Sequence, residues 1–266
     1  VCAEELGFES IFYGEHPIRP LDETGQGPHP DGVPLFQDLL VMLARASAST
    51  TSLKLGTAVF LVPEHNPVRA AKQIASLDLY SEGRVVLGIG IGWNRTEIEV
   101  MGGIFDQRWE RTAEAIELMR KLWRDERVEH SSEYFQFPPL QCYPPPHTPG
   151  GPPVLIGASG DRALRRVAEY ADGWMPALVT PEQVQAAAST IAHGRQRLAD
   201  YAEHSLLGPR ALEICPLIRG DANLRDLVRE LEDAGADRVI VSMPFVASLE
   251  QAGGALERIA SLTLNR

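Results

Sequence analysis

LKLGTAVFLVPEHNPVRAAKQIASLDLYSEGRVVLGIGIGWN, residues 53–94, decides the fold. It opens with LKLGTAVFLV (53–62), an apolar run too continuous for a strand with one wet face. It therefore reads as a strand buried on both faces of a parallel sheet. Asn66-Pro67 follows, an N-cap and first-turn pair. Val68, Ala71, Ile74 and Ala75 then recur at helical spacing. RVVLGIGIG (84–92) is a second buried strand. Strand, helix and strand in this order form a parallel crossover.

The same rhythm extends in both directions. SIFYG (10–14) is a strand, and residues 35–47 set Phe36, Leu39, Leu40, Leu43 and Ser47 on one helical face. Downstream, a helix at 107–124 carries Trp109, Ile116, Met119 and Trp123, with Glu117 and Lys121 paired at i, i+4. VLIGA (154–158), GWMPA (173–177), ALEICPLIRG (211–220) and RVIVSMP (238–244) are further strands. Helices follow each: one marked by Leu164, Val167, Ala168 and Ala171, a long one near 181–203, one marked by Leu224, Leu227, Val228 and Leu231 with Gly235 as its cap, and one over 248–262. Seven strand–helix repeats predict an α/β protein with a parallel sheet. Two proline-rich stretches interrupt them as long loops, at 17–34 and 130–153, the second around a strand-like SEYFQF (132–137). No linker divides the chain, so residues 1–266 read as a single domain.

The 266 residues suit one large α/β barrel. A hydrophobic fraction of 44% supports a full core and excludes disorder. The net charge of −11, with no basic block, argues against a nucleic-acid or anionic-membrane partner. Cys2, Cys142 and Cys215 are scattered, so no disulfide framework or metal site is expected, and a reducing cytoplasm is the default location. No apolar run is long enough to span a bilayer. Only Lys54, Lys72 and Lys121 among the 25 basic residues are lysine, a balance typical of GC-rich coding.

Four places could carry chemistry. Glu15-His16 follows the SIFYG strand at its C-terminal end, where barrels keep their active sites, and a histidine there can move a proton near neutral pH. The same histidine could simply cap a backbone carbonyl. GIGIGW (88–93) lets a flat ligand approach the backbone, or lets strands pack closely; it lacks the third glycine of a dinucleotide fingerprint. GASGD (157–161) joins a strand to a helix and could cradle phosphate through Ser159 and Gly160, or serve only as a helix start. Gly56, inside GTAV (56–59), marks a bulge, a ligand contact or ordinary packing.

Taken together, ELGFESIFYGEH, LGTAVFLVPEHNPVRAAKQIASLDLYSEGRVVLGIGIGWNRTEIEVMG, FDQRWERTAEAIELMRKLW and PVLIGASGDRALRRVAEYADGWMP resemble the luciferase-like monooxygenase superfamily, and within it the coenzyme F420-dependent oxidoreductases. The resemblance covers about residues 5–177 and is specific as a set. It implies a TIM (β/α)8-type barrel, here lacking the first strand and most of the first helix, so that the seven visible units are strands two to eight. It implies His16 as the proton donor or acceptor, with Glu15 beside it. It implies a cis peptide at Ala58–Val59 behind the cofactor ring, Gly90, Gly92 and Asn94 flanking the ring, and Ala158, Ser159 and Gly160 holding the cofactor phosphate.

The function so implied is F420-dependent hydride transfer to or from a small organic substrate. An FMN-dependent monooxygenase of the same superfamily is the alternative, and a non-catalytic or truncated paralogue a third reading. A barrel isomerase or aldolase using the 157–161 cradle would want a catalytic lysine or carboxylate at a strand end, whereas Lys54 lies at a strand start and Lys72 and Lys121 lie on helices. Tyr134, Phe135, Phe137 and Tyr143, with Phe36 nearby, would wall a pocket for an apolar or aromatic substrate. The family also makes a homodimer the expected assembly.

Overall fold

The computed structural model describes residues 1–21, 37–125, 127–199, 213–220, 223–244 and 248–264. Along the chain, α1 (Cys2–Glu5), β1 (Ser10–Tyr13) and α2 (Leu39–Ser49) precede β2 (Lys54–Thr57) and β3 (Phe60–Leu61). Next come α3 (Pro67–Tyr80), β4 (Val85–Gly90), α4 (Arg95–Val100) and α5 (Arg108–Arg124). The hairpin β5 (Val128–Ser131) and β6 (Gln136–Leu140) leads to β7 (Val154–Ile156), α6 (Asp161–Tyr170), β8 (Gly173–Trp174) and α7 (Pro181–Ala199). The chain continues through β9 (Glu213–Ile214), β10 (Leu217–Arg219), α8 (Leu224–Asp233), β11 (Ile240–Ser242) and α9 (Leu249–Thr263). They form two compact units, one of Val1–Phe12, Ser52–Lys54 and Pro153–Arg266, the other of Tyr13–Thr51 and Leu55–Pro152.

In the second unit, β4 is buried along its whole length and takes β2 and β3 as parallel partners. The expected continuous strand 53–62 is broken in two. Leu55 pairs with Val85, but Phe60 pairs with Ile89, so five steps on one strand run beside four on the other. The extra residue is a bulge, and the Ala58 N–H inside it donates to the Tyr13 carbonyl at 2.7 Å. The Ala58–Val59 peptide is cis. Helix α3 starts as its sequence predicts: Asn66 Oδ1 accepts from the Val68 and Arg69 N–H groups, with Pro67 in the first turn. Its buried face packs on α5, where Trp123 Nε1 donates to the Ala71 carbonyl at 3.0 Å. Arg84 ties α2 to α3 through the Ser47, Thr50 and Ser81 carbonyls.

The strand-like stretch 132–137 is instead mostly a turn. Ser132 Oγ accepts from the Tyr134 and Phe135 N–H groups, which ends β5 and starts β6. The aromatic residues expected to wall a pocket are engaged here: Arg111 of α5 lies 4.8 Å from the Phe135 ring centre, and Phe137 packs against His130. Tyr143 is exposed. Phe36 and most of the 17–34 loop lie outside the described residues.

In the first unit, β8 pairs in parallel with β7 and β9, and β10 with β11. The expected strand 211–220 divides into β9 and β10 around Pro216, which lacks a ladder N–H. Buried Asp172 accepts from the Val154 N–H at 2.8 Å and so fixes the start of β7. Gly235 caps α8 with φ +99°, its N–H reaching the Glu232 carbonyl. Arg238 binds Glu9 through two nitrogens, at 2.7 and 2.8 Å, and also Glu213. Burial opposes the ionisation of Glu9, but hydrogen bonds from Arg238 and Lys54 outweigh it and hold its pKa at about 2. Among the described residues, no helix is long and apolar enough to cross a membrane, and no group of three His, Cys, Asp or Glu could hold a metal ion.

The Asn66 cap makes a simple test of this local reading. Replacing Asn66 with alanine leaves two helix-start amides without their acceptor, and should lower unfolding free energy by about 1 kcal/mol in urea titrations.

Candidate active site

Two imidazole–carboxylate pairs stand at the C-terminal ends of strands in the second unit. His16 Nδ1 lies 2.9 Å from Glu97 Oε2 and 3.1 Å from Oε1. Glu97 is buried, and its place is set locally: Asn94 caps α4, its Oδ1 accepting from the Glu97 N–H at 3.2 Å. The capping residue therefore aims the carboxylate that holds the histidine. The Trp93 ring stands edge-on to His16, 6.2 Å between centres, and is 58% exposed.

The second pair crosses the first in sequence. Glu15 Oε2 accepts from the Leu61 N–H at 2.6 Å, and its Oε1 lies 3.0 Å from His65 Nε2. His65 stacks on Phe60 with ring centres 4.0 Å apart. Glu15 is thus engaged in closing the end of β3, on a different imidazole from that of its neighbour His16. A third acid, Glu64, is buried with neither carboxyl oxygen hydrogen-bonded among the described residues. Burial, with the charges of Glu97 and Glu15, pushes its pKa up to about 8.

The structure brings Ala58, Val59 and Gly90 together. A Cβ at Gly90 would lie 2.3 Å from Val59 Cγ2, so glycine is required for Val59 to cover the end of β4. Gly92 has φ +73°, and a Cβ there would lie 2.7 Å from Ile98 Cδ1. Close approach does occur at these glycines, and the approaching groups are Val59 and Ile98. Ala158, Ser159 and Gly160 belong to the first unit. The Ala158 carbonyl accepts from Trp174 Nε1 at 2.8 Å. Gly160 starts α6 with φ +88°, no side chain caps the helix, and a Cβ there would meet nothing within 4 Å.

Sequence reasoning missed Glu97, His65 and Glu64. Glu97 had a local signal, since Asn94-x-x-Glu97 has the spacing of a capping box. The repeated Glu-His dipeptide at 15–16 and 64–65 hinted at the rest, but pairing between them is a tertiary fact.

The profile of the family described as luciferase-like monooxygenase matches residues 1–206, and the chain belongs to that family. An uncharacterized Mycobacterium tuberculosis protein is 37% identical over 190 residues, 68% of this chain and 66% of that relative. The chain thus spans about two thirds of that curated relative. The F420-dependent hydroxymycolic acid dehydrogenase of Mycobacterium tuberculosis is 32% identical over 177 residues, 65% of this chain and 46% of that protein. The solved structure of an F420-dependent secondary alcohol dehydrogenase, in complex with an F420–acetone adduct, matches with a TM-score of 0.77 at 17% identity, covering 99% of this chain and 92% of the other. That likeness shows a common α/β fold.

The Val59–Gly90 contact leads to a cofactor-independent expectation. Gly90→Ala should cost about 1–3 kcal/mol of stability through overpacking, read as a lower urea midpoint at unchanged slope.

Proposed function

We propose that the protein is an oxidoreductase that works with coenzyme F420, and that His16 moves the proton accompanying hydride transfer to or from a small organic substrate. The observation that carries this reading is the His16–Glu97 pair: a partly exposed imidazole on a buried carboxylate, beside an exposed tryptophan. F420-dependent relatives at about one-third identity support the cofactor.

The deazaflavin, when bound, supplies or accepts the hydride. Glu97 keeps Nδ1 of His16 protonated, which makes Nε2 the nitrogen that gives or takes a proton at the substrate. The same carboxylate stabilises the imidazolium when it forms. Trp93 offers a ring face to an apolar or aromatic substrate and shields that side of His16 from water. Ala58, Val59, Gly90, Gly92 and Asn94 would line the ring. Within the first unit taken by itself, Ala158, Ser159 and Gly160 are the residues that would hold a phosphate, since α6 is ten residues long and no side chain caps its first amides. Glu15 supports the site by holding His65 and the end of β3.

The family's own description favours one second reading, a monooxygenase served by the same residues, for which FMN would be the cofactor. Separate titrations with F420 and FMN, followed by the protein's fluorescence, decide between them: saturable F420 binding is expected, and tight FMN binding with none of F420 would transfer the assignment. With the productive cofactor, His16→Ala should lower kcat by about 100-fold or more while cofactor affinity holds. Unchanged turnover would remove His16 from the chemistry.

A further inference from the structure

Helix α4 carries Glu97, yet it has only six residues, Arg95–Val100. A helix so short has too few internal hydrogen bonds to be stable by itself. Two glycines with positive φ bracket it, Gly92 at +73° and Gly102 at +87°. Its inner face is held by Ile98, fully buried, whose carbonyl accepts from the Gly103 N–H at 2.8 Å. Its outer face is held by Arg95. Arg95 Nη2 donates to Asp106 Oδ1 at 2.6 Å and Nη1 to Asp106 Oδ2 at 3.1 Å, while Nη1 also reaches Glu99 Oε1 at 2.9 Å. The Arg95 guanidinium lies 4.4 Å from the centre of the Phe105 ring. Arg108, which begins α5, lies 3.7 Å from the same ring and donates from Nη1 to the Phe105 carbonyl at 2.7 Å. Side chains thus tie α4 to the 3-10 turn Phe105–Gln107, and that turn to α5. A two-pronged arginine–carboxylate bond fixes orientation as well as distance, and the ring contact adds to it.

We propose that Arg95, with Asp106 and Phe105, forms a positioning clasp that holds α4 in the orientation presenting Glu97 to His16. This rests on the reading of His16 as the proton-transfer group. Each link is a direct contact. Arg95 stands two residues before Glu97, and its neighbour Asn94 accepts from the Glu97 N–H. Glu97 Oε2 then lies 2.9 Å from His16 Nδ1. Both ends of the clasp are exposed, and exposed ion pairs add little to global stability. The effect is therefore local. Without the clasp α4 opens more often, and in the open form Glu97 no longer fixes the imidazole for reaction.

The test begins with amide hydrogen exchange on the full chain without cofactor. The reporters are the Ile98, Met101 and Gly103 amides, which donate to the Asn94, Glu97 and Ile98 carbonyls. Arg95→Gln and Asp106→Asn should each speed their exchange about 10-fold, with amides of α3 and the melting temperature almost unchanged. Lys121→Gln, which removes another exposed ion pair, Glu117–Lys121 on α5, should leave the reporters as they are. With cofactor, Arg95→Gln should lower kcat about 10-fold or more while cofactor affinity holds. Added to Glu97→Gln, the same substitution should cost little further, because both act on one contact. A merely structural Arg95 would lower the melting temperature and multiply its loss onto that of Glu97→Gln. The proposal is overturned by that multiplication, or by unchanged exchange in both Arg95→Gln and Asp106→Asn. Failure of the His16 proton role appears separately, as unchanged turnover in His16→Ala with exchange still faster in Arg95→Gln.

Discussion

A carboxylate removed from water must find donors or keep its proton, and Glu97, Glu64 and the part-buried Glu15 of the second unit meet that constraint differently. Glu97 is satisfied by His16, and Glu15 by His65 together with the Leu61 amide. Glu64 finds no donor among the described residues, and burial pushes its pKa up to about 8. The rest of the site is arranged around these solutions. The short segment after β1 sends two adjacent side chains to two different partners, one on α4 and one beyond β3. Strand end, helix start and turn are thereby tied to one another.

The strand irregularity serves the same end. One extra residue between β2 and β3 shifts their register against β4 and delivers Val59 over Gly90. A regular strand would carry alternate side chains to the two faces without interruption. The bulge instead brings Ala58 and Val59 to the strand end, and Gly90 is the residue that leaves room for them. Close protein contacts account for both glycines, Val59 against Gly90 and Ile98 against Gly92.

The first unit holds polar anchors of another kind, Asp172 buried and Arg238 part-buried. Asp172 satisfies the first amide of β7, and Arg238 gathers Glu9 and Glu213. Each of these carboxylates has a donor. The contrast with Glu64 is physical: a paired carboxylate such as Glu9 is held ionised, whereas an unpaired one is held neutral.

The sequence by itself determined the α/β class, the alternation of apolar runs with amphipathic helices, the Asn66-Pro67 start of α3 and the Gly235 cap. All of these depend on periodicity or on capping, forces that act within a turn or two of chain. Tertiary structure alone decided the partner of His16, 81 residues away, and that of Glu15, 50 residues away. It also decided that residues 53–62 form two strands rather than one, and that Phe135 packs on Arg111 of α5 and Phe137 on His130 of the hairpin. Sequence spacing records which face a side chain takes; which charge it meets, and how dry that meeting is, depends on segments distant in the chain, and burial then sets the protonation of Glu64.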